Sequence, residues 1–331
     1  LPAALMIAGN SVANSKGKKT DKRPNILVIL ADDLGYSDLG CYGSEIHTPN
    51  LDKLAQQGVR FNHFYNASRS CPTRASLLTG LYQHQAGIGR MTFDDNLPGY
   101  RGTLSRNAVT IAEVLKESGY TTSMIGKWHV AETPLRKDQR EWLAHHVYHD
   151  TYSDLCHYPV NRGFDSHYGT IYGVVDYFDP FSLVEGEVPV KEVPEGYYIT
   201  QALSDRAAEE VTEYAKDDKP FFMYLAYTAP HWPLHALPED IEKYKDTYKV
   251  GWEAIRNARY ERQKQLGIFP GMDDFLSERQ FKDRWEDNAH AEWDARAMAV
   301  HAAMIDRMDQ GIGQVIDALE KTGQLDNTLI L

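Results

Sequence analysis

The chain has 331 residues, and 42% of them are hydrophobic, which is enough for the core of one large α/β domain or two average ones. The 47 acidic residues outnumber the 35 lysines and arginines, and the net charge of −12 argues against non-specific binding of nucleic acid over the whole surface. No apolar run reaches the roughly 18 residues that a membrane-spanning helix needs. An anionic ligand would therefore need a local positive pocket.

The first 22 residues have the composition of the end of an export signal and a linker. Residues 1–9 are apolar and then small, and residues 10–22 are polar and rich in lysine. This order is typical of a secretory signal peptide and the segment that follows it. We therefore expect residues 1–22 to lie outside the folded domain, residues 23–331 to form it, and the protein to be exported to the periplasm or the extracellular space.

The first predicted strand ends in two carboxylates. Residues 23–31 form a short apolar run of the kind that a fully buried parallel strand shows, and Asp32 and Asp33 follow it directly. An isolated Asp-Asp pair is more often a solvated turn than a pair of metal ligands. The pair therefore needs support from other residues before it indicates a site.

Residues 70–80 predict a helix that begins at a serine. Pro72 suits a first helical turn because it has no amide hydrogen, and Gly80 can end the helix. Ser70 then lies at the helix N-terminus, where free N–H groups favour an anion, and Arg74, one turn further on, can approach it. An ordinary capped helix beginning at Ser70 or Cys71 accounts for the same residues.

Two more strand-like runs are followed by a lysine or a histidine, side chains that can bind an anion or transfer a proton. Residues 120–126 precede Lys127 and His129, and residues 221–227 precede His231. Strands that alternate with helical patterns predict a mostly parallel sheet flanked by helices, and such sheets bind ligands beyond the carboxyl ends of their strands. The candidate residues should therefore meet at one edge. The helical patterns lie at 51–57, 109–118, 204–215 and 291–322, and a last strand is predicted within 326–331.

Ser70-x-Pro-x-Arg74, followed by Ala-Ser-Leu-Leu-Thr-Gly, resembles the signature of the type I sulfatases. In that family a cysteine, or a serine in some bacterial members, is oxidised after translation to formylglycine, the catalytic aldehyde. Counting back from Arg74 places Ser70 at this position and Cys71 at a variable one. Either the chain is a serine-type member or the family's cysteine has been replaced here, and the sequence leaves both open.

The resemblance implies an alkaline-phosphatase-like α/β/α sandwich and a role for each matching residue. Asp32, Asp33 and the residue-70 side chain correspond to ligands of a calcium ion, for which Mg²⁺ is the less suitable alternative. Arg74 would stabilise the formylglycine hydrate, and Lys127 would hold sulfate oxygens. The two histidines would move protons: His129 takes one from the hydrate, and His231 contacts the substrate and protonates the leaving oxygen.

The resemblance further implies that residues 23–331 are the N-terminal catalytic domain of a longer polypeptide, truncated before the second half of the metal site. In sulfatases the strand that corresponds to the last one here leads into an Asp-Asn pair that completes the calcium shell. We therefore expect the C-terminal remainder of the polypeptide to be a partner of this chain. Without it, the chain should bind metal poorly.

Three functions are compatible with these motifs. The resemblance favours hydrolysis of sulfate esters in the degradation of a sulfated carbohydrate. A phosphate or phosphonate ester hydrolase of the same superfamily is the second candidate, and an inactive sulfated-glycan-binding homologue with unmodified Ser70 is the third. A histidine-containing stretch, residues 137–158, is expected to be a solvated loop or a substrate contact rather than a second metal site.

Overall fold

The structure is a computed structural model that describes residues 23–132, 150–269, 276–277 and 284–331. The predicted signal-peptide remnant, the linker and most of the histidine-containing stretch lie outside the described residues. Seven strands form one sheet: β1 (Asn25–Leu30), β2 (Thr121–Gly126), β3 (Ser166–Thr170), β4 (Leu183–Glu185), β5 (Val188–Pro189), β6 (Phe221–Ala226) and β7 (Thr328–Ile330).

The sheet has the strand order β5-β4-β3-β2-β6-β1-β7. All pairs from β3 to β7 are parallel, whereas β4 pairs antiparallel with both β3 and β5. The predicted, mostly parallel sheet is therefore confirmed. The antiparallel β4–β5 pair follows from its connection, since two residues can close a hairpin but cannot form the crossover that a parallel pair needs.

Seven α-helices are described, and the predicted ones are confirmed with small shifts at their ends. The fourth begins before the predicted start at residue 204, because its buried side extends upstream to Ile199, Thr200 and Leu203. The helices are α1 (Pro49–Gln57), α2 (Ser70–Thr79), α3 (Ile111–Glu117), α4 (Ile199–Tyr214), α5 (Pro238–Glu242), α6 (Trp252–Gln265) and α7 (Ala291–Lys321).

None of the described helices is both long and apolar enough to cross a bilayer. Short 3₁₀ turns connect the helices and strands. The 3₁₀ turns are Tyr36–Asp38, Gly40–Tyr42, Leu155–His157, Pro159–Asn161, Thr247–Val250, Trp285–Asp287 and Leu325–Asn327.

The core lies around the central strand β6, all six residues of which are buried. β6 lies between β2 and β1, and all three strands run in the same direction. Helix α7 packs mainly on α4. It also caps the N-terminus of α1, where the Asp309 carboxylate accepts the amide hydrogens of Asn50 and Leu51. The carboxyl ends of three adjacent strands therefore form the middle of one sheet edge, and the loops that follow them meet there.

Candidate active site

Asp32 follows β1 and Lys127 follows β2, the two strands on either side of β6. Both residues therefore lie at the carboxyl edge of the sheet. The Asp32 amide donates to the carbonyl of Ala229 at 2.9 Å, which joins the loop after β1 to the loop after β6. The Lys127 amide donates to the carbonyl of Ala226 at 2.7 Å, which ties the end of β2 to the end of β6. Backbone pairing of the three central strands thus brings these two side chains together.

The Asp32 carboxylate is buried between two cationic side chains. It is 3% exposed; the Arg74 Nη2 atom lies 3.3 Å from Oδ1, and the Lys127 ammonium contacts Oδ2. Burial alone would raise the pKa of Asp32, but the charges of Lys127 and Arg74 outweigh it and hold this pKa well below its usual range. Asp32 is therefore ionised throughout the physiological pH range.

Arg74 connects this carboxylate to Ser70. The guanidinium is 1% exposed, and its Nε donates to Ser70 Oγ at 3.1 Å while its Nη2 faces Asp32. The third nitrogen, Nη1, donates to the carbonyl of Lys127 at 2.6 Å and to the hydroxyl of Tyr224 at 3.4 Å. A single planar side chain thus contacts four groups from four parts of the chain.

Helix α2 places Ser70 and Arg74 on the same side, one turn apart. As predicted, it begins at Ser70 and ends before Gly80, whose φ of 67° is in the left-handed region that glycine adopts readily. The buried side of α2 includes Cys71, Arg74, Ala75 and Leu78. The apolar contacts of this side fix the helix, and Arg74 is held within reach of Ser70 as a result.

His129 lies against Ser70 and Cys71. Its Nδ1 is 3.2 Å from Ser70 Oγ, and its Nε2 is 3.3 Å from Cys71 Sγ. Burial, together with the positive charges of Lys127 and Arg74, lowers the pKa of His129 well below its ordinary value, so the imidazole is neutral. Its backbone has a φ of 54°, a conformation that is uncommon outside glycine and occurs often at functional sites.

Cys71 is buried in the core beneath the His129 ring. Its side chain is fully buried, its thiol contacts Met91 Sδ at 3.9 Å, and burial raises the thiol pKa to about 11. Ser70, in contrast, is partly exposed. Of the two neighbours, Ser70 is the one whose side chain a ligand at the sheet edge can reach.

Asp33 and His231 form the outer part of the same cluster. The Asp33 side chain is 62% exposed, and its Oδ2 lies 3.4 Å from His231 Nε2. The His231 Nδ1 atom is 2.5 Å from the carbonyl of Trp232, and it donates because a carbonyl can only accept. The Nε2 atom is therefore the one that faces Asp33 and remains available for proton exchange.

The structure brings all seven predicted site residues to one region. Direct contacts link Asp32, Lys127, Arg74, Ser70 and His129, and Asp33 links this buried group to His231. The carboxylates of Asp32 and Asp33 and the oxygen on residue 70 are hard donors, the kind that Ca²⁺ prefers. They fit a divalent cation chemically, and they supply part of the six to eight oxygens that calcium takes.

Three contacting residues were not identified from the sequence. Tyr224 lies within the apolar run of β6, where its hydroxyl was the only signal of a polar contact. Gly173 and Tyr177 lie in the loop between β3 and β4 and carry no motif. Gly173 packs against the His129 ring, and the Tyr177 hydroxyl donates a hydrogen bond to the carbonyl of His231. Such contacts depend on folding of a loop that sequence patterns did not place at the site.

The fold is a mostly parallel α/β/α sandwich of the alkaline-phosphatase-like type, and carboxylates, cationic side chains and two histidines cluster at the carboxyl edge of its sheet. The sulfatase family model matches residues 24–331. The chain belongs to the sulfatase family.

Individual relatives agree with this assignment. The chain is 34% identical over 336 residues to an uncharacterised sulfatase of Schizosaccharomyces pombe, a match that covers 94% of this chain and 57% of that protein. It is 33% identical over 335 residues to an arylsulfatase of Klebsiella aerogenes, covering 99% of this chain and 68% of the relative.

Among solved structures, the crystal structure of Ps i-CgsB in complex with k-i-k-neocarrahexaose superposes with a TM-score of 0.63 at 32% identity. The match covers 93% of this chain and 57% of that one. The chain thus spans little more than half the length of two of these three relatives.

Proposed function

We propose that the protein hydrolyses sulfate esters of carbohydrates, with residue 70 in the formylglycine form. The observation that carries this proposal is the Arg74 guanidinium, which contacts Ser70 Oγ and the Asp32 carboxylate at once. This contact supports residue 70 as the nucleophile position, because a carboxylate and two buried cations, Arg74 and Lys127, lie around it. The relationship to an arylsulfatase supports the reaction class.

Residue 70 requires modification because an unmodified serine would form a stable sulfate ester. A hydrated formylglycine supplies one hydroxyl for attack on sulfur and a second from which sulfate can be expelled. Arg74 Nε, which donates to the oxygen on residue 70, orients that oxygen and stabilises negative charge on it. The neutral imidazole of His129 has its Nδ1 at the same oxygen and can accept a proton from it.

Lys127 and His231 act on the substrate. The buried Lys127 ammonium, which pairs with Asp32, provides positive charge for sulfate oxygens in a site shielded from water. When the bond between sulfur and the leaving oxygen breaks, its electron pair stays on that oxygen. With a hydrogen on both ring nitrogens, His231 can then donate the Nε2 proton there, while its Nδ1 hydrogen stays bonded to the Trp232 carbonyl.

The metal in this proposal is Ca²⁺, held by Asp32, Asp33 and the oxygen on residue 70. When bound, such an ion lowers the pKa of a coordinated hydroxyl and stabilises developing negative charge. Asp32 suits this role since its carboxylate is ionised at every physiological pH. Mg²⁺ is the less suitable ion because it requires a near-ideal octahedral shell and retains several waters.

A cavity whose lining includes residues close to the cluster along the chain supports a carbohydrate substrate. It has a volume of about 800 Å³, within the range of small-molecule sites, and Tyr36, Trp252, Arg256 and Leu234 are among its lining residues. Tyr36 follows Asp33 by three residues, and Leu234 follows His231 by three, so the Cα atoms of each pair lie at most about 11 Å apart. Aromatic rings can stack on a sugar, and the complex of Ps i-CgsB with an oligosaccharide supports this class.

The test compares sulfate and phosphate esters on the natively expressed, full-length protein. We expect 4-nitrophenyl sulfate and a subset of position-defined sulfated monosaccharides to be cleaved, and 4-nitrophenyl phosphate to be cleaved at least tenfold more slowly. Ser70→Ala should abolish cleavage, whereas Ser76→Ala, on the same helix, should retain it. A preference for phosphate would favour a phosphate or phosphonate ester hydrolase instead.

Mass spectrometry of the peptide that contains residue 70 addresses the modification directly. We expect a mass two hydrogens lower than that of unmodified serine. An unmodified peptide from a protein that binds sulfated sugars without cleaving them would support a glycan-binding function and contradict the enzyme. We further propose export from the cytoplasm, which the composition of residues 1–22 supports, and detection of the protein in periplasmic or culture fractions tests it.

A further inference from the structure

The loop between β3 and β4 contacts both histidines of the site. Gly173 lies directly against His129: a Cβ at this position would fall 2.1 Å from the imidazole ring. Four residues later, the Tyr177 hydroxyl lies 2.8 Å from the carbonyls of both Thr228 and His231 and shares its one hydrogen between them. This loop thus fixes the surroundings of two proton-transfer groups that come from different strands.

Tyr177 is itself held firmly. Its side chain is 1% exposed and packs 5.8 Å from the ring of Tyr198, measured between centroids. Its carbonyl accepts the Ile199 amide hydrogen at 2.8 Å, and its own amide donates to His235 Nδ1 at 3.4 Å. Burial raises the pKa of Tyr177 well above its ordinary value, so the hydroxyl keeps the hydrogen that it donates.

The backbone that Tyr177 holds determines how His231 is aimed. The His231 ring is bonded to the carbonyl of the next residue, Trp232, so the direction of the ring follows that of the local backbone. The Tyr177 hydroxyl fixes this backbone through the carbonyls of Thr228 and His231. Without that hydroxyl, two carbonyls lose a buried donor and the turn can rotate.

We propose that Tyr177 is a positioning residue, whose hydroxyl holds the 228–231 turn so that His231 Nε2 can protonate the leaving oxygen. This inference rests on the proposed function, because it assumes that His231 is the proton donor. Tyr177 touches neither sulfate nor the leaving group in this proposal, and it acts only through the direction of His231.

The experiment measures kcat/KM of the full-length protein for a series of aryl sulfates whose phenols differ in pKa. Proton donation matters most for poor leaving groups, so loss of the donor makes the rate depend more steeply on phenol pKa. We expect Tyr177→Phe to lower kcat/KM on the order of tenfold for the poorest leaving group and less than twofold for 4-nitrophenyl sulfate. His231→Ala should give the same pattern more strongly.

Tyr198→Phe is the matched control. Tyr198 is also buried, lies next to Tyr177 and donates through its hydroxyl to a carbonyl, that of His235, at 2.9 Å. It bonds neither Thr228 nor His231, so its removal should leave the slope unchanged. Thermal unfolding followed by circular dichroism gives a temperature at which both variants are folded, and the slopes are compared there.

The outcomes separate the inference from the function on which it rests. A steeper slope in His231→Ala but an unchanged slope in Tyr177→Phe overturns the inference and leaves the proposed function intact. A uniform loss across all esters in Tyr177→Phe also overturns it, since that loss indicates a structural role alone. An unchanged slope in His231→Ala overturns both the inference and the role of His231.

Discussion

Arg74 shows at the scale of one residue why the site depends on buried charge. Its guanidinium, 1% exposed, contacts the side chain of Ser70, the carboxylate of Asp32 and a backbone carbonyl. A lysine could place one charge there, but it could not direct donors to all of these groups. The protein around Arg74 therefore has to hold these partners at hydrogen-bonding distance from its fixed donors. Buried neighbours that take no part in chemistry contribute to this positioning.

His167 allows a pH prediction that is independent of the site. It lies in β3, is 1% exposed, and burial lowers its pKa to about 4. The folded protein thus favours neutral His167, so stability is fully present above the unfolded pKa of about 6.5 and is lost as the pH falls from there to about 4. The full loss corresponds to about 3 kcal/mol.

We expect urea unfolding midpoints at pH 7.5 and pH 4.5 to differ less in His167→Met than in the unchanged protein. The thioether fills similar space and does not titrate. The exposed His63, replaced by glutamine, serves as the control and should leave the pH dependence as it is. Equal acid sensitivity in His167→Met and the unchanged protein would contradict the assignment.

Helix α7 shows at the scale of an element how packing overrides helix propensity. It contains Gly311 and Gly313 in its interior, where glycine is unfavourable by about 1 kcal/mol relative to alanine. A Cβ on Gly311 would lie 2.0 Å from Ser204 Oγ and 2.8 Å from Ser204 Cβ, on the facing helix α4. The glycine thus permits the close approach of two helices that form a large part of the core.

Gly311→Ala should therefore destabilise the protein by about 1–3 kcal/mol, although propensity alone predicts a gain. Ser204 has little freedom to move, because its hydroxyl bonds the Thr200 carbonyl and the Tyr227 hydroxyl at 2.8 and 2.9 Å. Asp317→Ala, at an exposed position of α7, is the control and should be neutral or slightly stabilising. Chemical denaturation measures both, and a more stable Gly311→Ala would show that the helices can separate at no cost.

At the scale of the whole molecule, the site exists because three parallel strands end at one edge. The loops after β1, β2 and β6 supply Asp32, Asp33, Lys127, His129 and His231, while α2 adds Ser70 and Arg74. The carboxylates of Asp32 and Asp33 lie here together with the cationic side chains of Arg74 and Lys127. A divalent ion at this edge would tie separate loops together and so contribute to the stability of the whole domain.

Calcium should raise the thermal unfolding midpoint of the chelator-treated, full-length protein. At 100 times the dissociation constant a ligand adds about 2.7 kcal/mol, which corresponds to roughly 2–4 °C for a protein of this size or larger. Asp33→Asn should reduce this shift, because the exposed Asp33 carboxylate can be altered without leaving a buried charge unpaired. Asp317→Asn, a distant exposed carboxylate, should not. A shift of equal size in Asp33→Asn and Asp317→Asn would contradict the assigned ligands.

The sequence predicted the parts of the fold that carry strong periodic signals. The apolar runs of β1, β2 and β6 and the long stripe of α7 were each identified, because buried strands and amphipathic helices must repeat their apolar residues regularly. The antiparallel strands β4 and β5 were not identified. They have three and two residues, too few for a pattern, and a hairpin connection rather than a run of side chains defines them.

By itself, the sequence determined that the residues following β1, β2 and β6 lie at the carboxyl edge, because a parallel strand has only one end at which the following residues can emerge. It also determined the order of Ser70 and Arg74 along one helix turn. Only the tertiary structure decided that Arg74 bridges Ser70 and Asp32, that Cys71 is buried, and that Tyr177 holds the turn of His231. These contacts join residues that are distant along the chain, and their geometry arises only when helices and loops pack against the finished sheet.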